Sequence, residues 1–180
     1  YAYNDWCLAQ IAKALGRDDD YQTLMRRALN YHHVYDPGVG FMRGRNADGA
    51  WEEPFREFRW GGAYVEGGPW QSTWAVPHDP AGLIELMGGR DAFIAKLDRM
   101  LALPPYFEIG TYGGEIHEMT EMAVADFGQY AQSNQPVHHV LSLYACAGRP
   151  DKFQYWVRRV MDEYYTPETL PGDEDNVEMT

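Results

Sequence analysis

Cysteine is scarce, cationic residues are outnumbered, and no long hydrophobic run occurs. The two cysteines, Cys7 and Cys146, lie in separate apolar segments. One pair defines no disulfide framework, and two buried free thiols are an equal reading. A membrane-spanning helix needs about 18 or more consecutive apolar residues, and the chain has no such run. Lys and Arg total 15 against 27 Asp and Glu, a formal net charge of −12. That balance argues against a nucleic-acid backbone or an anionic membrane as the main partner and leaves a neutral polar ligand open. What is present is apolar and aromatic: 45% hydrophobic residues, with 6 Trp and 13 Tyr in 180 residues. This is enough for a folded core, and the rings suit either core packing or a sugar-binding platform. The chain begins at Tyr1 without Met or leader and ends just after a loop. Both ends read as cut, so a fragment is expected.

Three stretches share one plan. Trp6–Leu15, Pro80–Met87 and Val137–Ala147 each read as a first helix. Each is followed by a Gly-containing turn and then by a second helix, Tyr21–Tyr35, Ala92–Leu103 and Lys152–Tyr165. The turn glycines Gly16, Gly89 and Gly148 suit left-handed C-terminal caps, and Asp18, Asp91 and Asp151 can cap the next helix. Leu24, Ala28, Tyr31 and Tyr35 recur at helical spacing, as do Phe93, Leu97 and Met100, and Phe153, Val157, Val160 and Tyr164. Pro37, Pro104 and Pro167 then stop each helix. The repeat spacing is too irregular for a tight helical array. The pattern predicts an all-α fold of helical hairpins forming about half of an (α/α)6 toroid, with a plain helical bundle as the alternative.

In that plan the long connections, residues 36–79, 104–136 and 166–177, meet at one end of the toroid. Loops placed by a rigid scaffold are a usual place for a site. The first holds Trp60, Tyr64, Glu66 and Trp70 among glycines. An aromatic, apolar setting would raise the Glu66 carboxyl toward general-acid duty; a Gly-rich turn with one solvated Glu is the plain alternative. His78-Asp79 is either an oriented His or, with Asp79, a cap for the following helix. In the second, His117 and Glu121 stand four apart, as at a solvated helix start or a metal-binding pair. Asn134 and Gln135 offer hard neutral oxygens that suit Ca²⁺. His138 and His139 are adjacent, so on a helix they point about 100° apart and cannot easily share one metal. The third holds Asp173 and Asp175, either a paired acid–base device or a solvated acidic tail; an EF-hand reading fails on position. An inverting glycosidase needs one protonated carboxyl and one carboxylate base about 6.5–9.5 Å apart, and Glu66 with Asp173 or Asp175 has the right chemistry.

At these residues the chain resembles glycoside hydrolase family 92, the calcium-dependent exo-acting α-mannosidases. The segments that carry the resemblance are Tyr64-Val65-Glu66-Gly67 with Trp70-Gln71, Val76-Pro77-His78-Asp79, Leu86-Met87-Gly88-Gly89, Ser133-Asn134-Gln135-Pro136 with His138-His139, and Pro171-Gly172-Asp173-Glu174-Asp175 with Glu178-Met179. The resemblance implies an (α/α)6 toroid normally preceded by a β-sandwich, which with the remaining hairpins is missing from this chain. It implies inverting hydrolysis of terminal α-mannosides, α-1,2-linked ones first, in a secreted, periplasmic or cell-surface protein. It assigns Glu66 as general acid and Asp175, aided by Asp173, as base. It assigns Trp70, Gln71, His78, Asp79 and His138 to substrate, and Asn134 and Gln135 to calcium. The partners implied are a mannose-containing glycan and the missing part of the catalytic domain. Gly68, Gln132, Val177 and Thr180 stand where the family usually has Asn, His, Gly and Ser. A non-catalytic module binding carbohydrate or protein is the competing reading.

Overall fold

A computed structural model of the chain describes residues 1–165. It is mostly helical and contains the three hairpins, joined by long irregular segments. Helix α1 (Ala2–Ala14) packs on α2 (Asp18–Arg27), α4 (Pro80–Leu86) turns into α5 (Arg90–Ala102), and α7 (Leu143–Cys146) packs on α8 (Pro150–Tyr164). Between them lie a two-residue ribbon of β1 (Tyr35–Asp36) and β2 (Phe41–Met42), the short α3 (Pro69–Ser72), and α6 (His117–Ala125).

The three first helices end in one and the same cap. The amides of Gly16 and Arg17 return to the carbonyls of Lys13 and Ala12, those of Gly88 and Gly89 to Glu85 and Ile84, and those of Gly148 and Arg149 to Ala145 and Tyr144. This is the paired 6→1 and 5→2 pattern that needs a left-handed residue, and Gly16, Gly88 and Gly148 have φ of +67°, +94° and +76°. In the second hairpin the cap is therefore Gly88, one residue before the expected Gly89. None of Asp18, Asp91 and Asp151 is the N-cap residue; they lie inside the first turn, where their charge faces the positive helix end.

Two predicted helices are shorter than their periodicity suggested. Helix α2 stops at Arg27, and Asn30–His33 forms a 3-10 turn. The cause is tertiary: the Tyr31 hydroxyl donates to the Asp79 carboxylate at 2.8 Å, and Tyr35-Asp36 leaves to pair with Phe41-Met42. In the third hairpin, 3-10 turns at Gln135–Val137 and Val140–Ser142 precede the short α7. There the Ser142 hydroxyl donates to the His139 carbonyl at 2.6 Å and His139 Nε2 donates to the Trp74 carbonyl at 2.7 Å, competing with helix continuation. Pro104 follows α5 as expected; Pro167 lies outside the described residues.

The core collects Trp60, Trp70, Trp74, Phe93, Leu97, Phe127, Tyr130 and Tyr144, all essentially inaccessible. Asp98 on α5 accepts from the Tyr144 hydroxyl at 2.7 Å and from Lys152 Nζ at 2.6 Å, which ties α5, α7 and α8 together. Arg27 clasps buried Asp5 with two contacts, 3.1 and 3.0 Å, and locks α1 to α2. Cys7 and Cys146 are both free; Cys7 is half-buried and Cys146 exposed, so the reading of two buried thiols fails for Cys146. No helix among the described residues is long and apolar enough to cross a membrane.

Candidate functional site

Two of the three connections that the hairpin plan places together, 36–79 and 104–136, do meet; 166–177 lies outside the described residues. Segment 58–60 runs beside 108–111: the Trp60 amide donates to the Glu108 carbonyl at 3.0 Å and the Glu108 amide to the Phe58 carbonyl at 2.9 Å. Glycines permit the contact from both sides. A Cβ on Gly110 would lie 1.9 Å from the Trp60 carbonyl oxygen, and one on Gly61 would lie 2.2 Å from Thr111 Oγ1. Both residues also have positive φ, so a side chain at either is excluded by backbone and space together.

From this seam the turn 61–67 projects, closed by the Gly61 amide on the Gly67 carbonyl at 2.9 Å. Glu66 sits on it with φ of +52°, a left-handed conformation that costs a non-glycine residue about 1–2 kcal/mol. Three side chains hold the turn. Thr111 Oγ1 accepts from the Gly62 amide at 2.7 Å, the Tyr112 hydroxyl accepts from the Glu66 amide at 2.7 Å, and Asn134 Nδ2 donates to the Glu66 carbonyl in a short contact. The backbone of Glu66 is thus held on both sides while its side chain is exposed. The expected aromatic surround is not there. Trp60 and Trp70 are fully buried in the core, and the Tyr64 hydroxyl donates to the Met42 carbonyl at 2.7 Å. The Glu66 carboxylate is a solvated, isolated acid rather than one desolvated by rings.

Several residues assigned to substrate have other occupations. Trp70 packs edge-on to Phe41 at 4.8 Å, with Lys96 Nζ 4.7 Å from its ring, and no part of it reaches the surface. Gln71 is buried and bridges the loops, accepting from the Gly68 amide at 2.9 Å and donating to the Gln129 carbonyl at 2.8 Å. His78 Nε2 lies 2.9 Å from the Ala28 carbonyl, and its ring packs against Tyr3 and Tyr31. Asp79 is the N-cap of α4, accepting from the Gly82 amide at 2.9 Å, as its alternative reading held. His138 Nε2 donates to the Gln132 carbonyl at 2.7 Å, while its neighbour His139 turns to Trp74; burial pushes the His139 imidazole down from its ordinary value. These residues shape and brace the loops: Gln71, His78, Asp79 and His138 each bond a backbone group, and Trp70 is packed into the core. His117 lies 3.3 Å from Glu121 and 3.4 Å from Glu118 at the start of α6. Among the described residues no group of three or more His, Cys, Asp or Glu is arranged for a metal.

Asn134 is almost wholly buried and leaves its side-chain carbonyl oxygen, Oδ1, without a hydrogen-bond partner among the described residues. Gln135 follows on the wall of a groove of about 880 Å³ that Tyr64, Tyr31 and His139 also line. Asp173 and Asp175 lie outside the described residues. Two of the unusual positions have local explanations. At Gly68 a Cβ would lie 2.7 Å from the Arg59 carbonyl oxygen. Gln132 accepts from the Tyr130 hydroxyl at 2.5 Å and donates to the Tyr165 hydroxyl at 2.8 Å, joining the loop to the end of α8. Thr111 and Tyr112 were missed from sequence; the signal that points to them is the Gly110-Thr111-Tyr112-Gly113-Gly114 run, glycine-flanked like the Glu66 turn it meets.

Comparison with known proteins agrees along the chain. The chain is 47% identical to a family GH92 inverting mannosidase of Bacteroides thetaiotaomicron, with a TM-score of 0.79, covering 98% of this chain and 24% of that one. A second α-mannosidase of that family and organism, solved with mannoimidazole, is 36% identical with a TM-score of 0.83, covering 97% and 23%. An uncharacterized secreted glycosidase of Arthroderma benhamiae is 31% identical over 121 residues, 54% of this chain and 16% of that protein. The chain therefore spans about a quarter or less of the length of these relatives. The family model for the glycosyl hydrolase family 92 catalytic domain matches residues 1–180, and the chain belongs to that family.

Proposed function

We propose that the protein containing this chain is an inverting exo-α-mannosidase that removes terminal mannose, α-1,2-linked first, from glycans outside the cytoplasm. The observation that carries the reading is Glu66: an isolated, exposed carboxyl on a left-handed turn whose backbone is gripped by Tyr112 and Asn134. A fixed backbone that aims an unengaged carboxyl is the geometric part of what delivery of a proton to a leaving-group oxygen requires. Family membership and the solved mannosidases support the substrate class, and the secreted relative supports the location.

In this reading Glu66 donates its proton to the glycosidic oxygen as the bond to the anomeric carbon breaks. Asp175, oriented by Asp173, takes a proton from the water that attacks the opposite face. The chemistry requires the two carboxyls to stand about 6.5–9.5 Å apart. The residues fit calcium in donor type: Asn134 Oδ1 is a buried neutral oxygen without a partner among the described residues, and Gln135 adjoins it. Ca²⁺ takes about 6–8 oxygens, so the remaining ligands come from outside these two side chains. When bound, the ion would supply a fixed positive charge for sugar hydroxyls. Asn134 would then face two ways, its oxygen to the ion and its nitrogen to the Glu66 backbone.

The test is mannose release by the full-length protein with and without a calcium chelator, alongside Glu66→Gln. Loss of at least about a hundredfold in turnover by the variant, within the usual size of general acid catalysis, and calcium-restored activity are expected. Chelator-insensitive turnover, or a variant as active as the parent, overturns the assignment.

A further inference from the structure

We propose that Tyr112 is a positioning residue for the Glu66 carboxyl, acting through the Glu66 amide rather than touching substrate. The inference rests on the reading of Glu66 as general acid and goes beyond it, because Tyr112 belongs to no motif that carries the family resemblance. The Glu66 conformation is one an L side chain rarely adopts, and something outside the turn must select it. Tyr112 is on a 3-10 turn (Gly110–Tyr112) of the second connection, 46 positions from Glu66 in the chain. Its ring passes Gly61, where a Cβ would lie 3.1 Å from Cε2 and 3.2 Å from Cδ2, and its hydroxyl then accepts the Glu66 amide at 2.7 Å. Thr111, one residue earlier, accepts the Gly62 amide at 2.7 Å. Two successive side chains thus hold the two ends of one turn. Asn134 holds the opposite side of the Glu66 peptide through its carbonyl.

The consequence is that the direction of the Cα–Cβ bond of Glu66 is set by the second connection, not by its own turn. A general acid displaced by about 1 Å loses on the order of a hundredfold in rate. The loss falls only on bonds whose breaking needs a proton. An aryl mannoside with a strongly acidic phenol leaves without much help, whereas a mannosyl-mannose leaving group does not.

The experiment is Tyr112→Phe in the full-length protein, which keeps the ring against Gly61 and removes only the hydroxyl. Expected is a fall in kcat of about tenfold to a hundredfold on the disaccharide, with KM within about twofold and the activated aryl mannoside within about threefold. An unchanged kcat on both substrates overturns the proposal. So does an equal fall on both, since a merely structural residue would slow both alike. Glu66→Gln separates the two levels. If it splits the substrates and Tyr112→Phe does not, the acid stands and the positioning role falls. If Glu66→Gln itself shows no split, the acid assignment falls.

Discussion

The N-terminal hairpin and the connections beside it invert the usual relation between regularity and burial. Helices α1 and α2, of 13 and 10 residues, pack along each other, yet α1 buries only Asp5, Ala9 and Ala12, and α2 buries nothing fully. Leu8 and Ile11 on α1 and Leu15 at its C-cap are 51%, 56% and 69% exposed. The irregular stretches hold Trp60, Trp74, Phe127 and Tyr130, none more than 1% exposed. A helix satisfies its own backbone and can sit at the edge; an irregular segment must be held by side chains, and the buried amides of Gln71 and Gln129 do that here while the indoles fill space. The connections therefore supply much of the core, together with α5 and α7, and side chains of the same connections hold the Glu66 turn.

The largest effect that sharpens this contrast is expected from Trp70→Ala. Truncating a fully buried aromatic costs about 3–5 kcal/mol, and urea denaturation of the full-length protein should show a loss of that order. A Trp70 that met sugar would instead raise KM with little change in stability, and that outcome would return the residue to the substrate site. Next comes a pair of glycines with nearly equal φ. Gly110→Ala places a Cβ on the Trp60 carbonyl and should cost more than about 2 kcal/mol, whereas Gly16→Ala has open space around it and should cost about 1 kcal/mol for φ alone. Equal costs at the two sites would mean that the seam between connections is no tighter than a hairpin cap.

Much of this was legible in the sequence, and the reason differs by element. The hairpins were readable because helical period and a Gly turn are local signals, and the Asp79 cap because Asp before Pro80 is one too. The meeting of residues 36–79 with 104–136 followed from the repeat plan. What failed were inferences from composition within a loop. Trp60 and Trp70 next to Glu66 in sequence suggested rings around a carboxyl, but the turn carries Glu66 outward while its neighbours point into the core. Residue period also overran the helices at Tyr31 and Val137, because Tyr31–Asp79 and His139–Trp74 are contacts between distant segments that no local pattern contains. Tyr112 escaped for the same reason: its partner lies 46 positions away.

Lys96 tests the boundary between the two kinds of region. It projects from α5 onto the loop aromatics, with Nζ 3.4 Å from the Phe41 ring centre and 4.7 Å from that of Trp70. Burial and the nearby Arg99 push its ammonium down to about 8. Below pH 8 the lysine is charged whether folded or unfolded, and the folded state bears the desolvation cost. Between about 8 and the ordinary 10.5 only the unfolded chain holds the proton, so stability rises with pH across that window. Relative to Lys96→Met, the parent should gain roughly 1–2 kcal/mol between pH 7.5 and about 10.5, read from denaturation midpoints at each pH. A flat difference would show that the ring faces compensate the buried charge fully.

The smallest effect belongs to the hairpin. Ile11 is 56% exposed in the last turn of α1, and its neighbours one turn away, Leu8 and Leu15, are exposed with it. Replacing Ile11 by Ser removes little packing and slightly changes helix propensity, so in a chain whose core lies elsewhere the cost should stay within about 0.5 kcal/mol. The informative comparison is between the 180-residue chain and the full-length protein. A small cost in both keeps the contrast as drawn, with α1 at the edge in each. A cost of 2 kcal/mol or more confined to the full-length protein would show that a partner segment covers this face there, and that the thin burial of the hairpin belongs to the isolated chain alone.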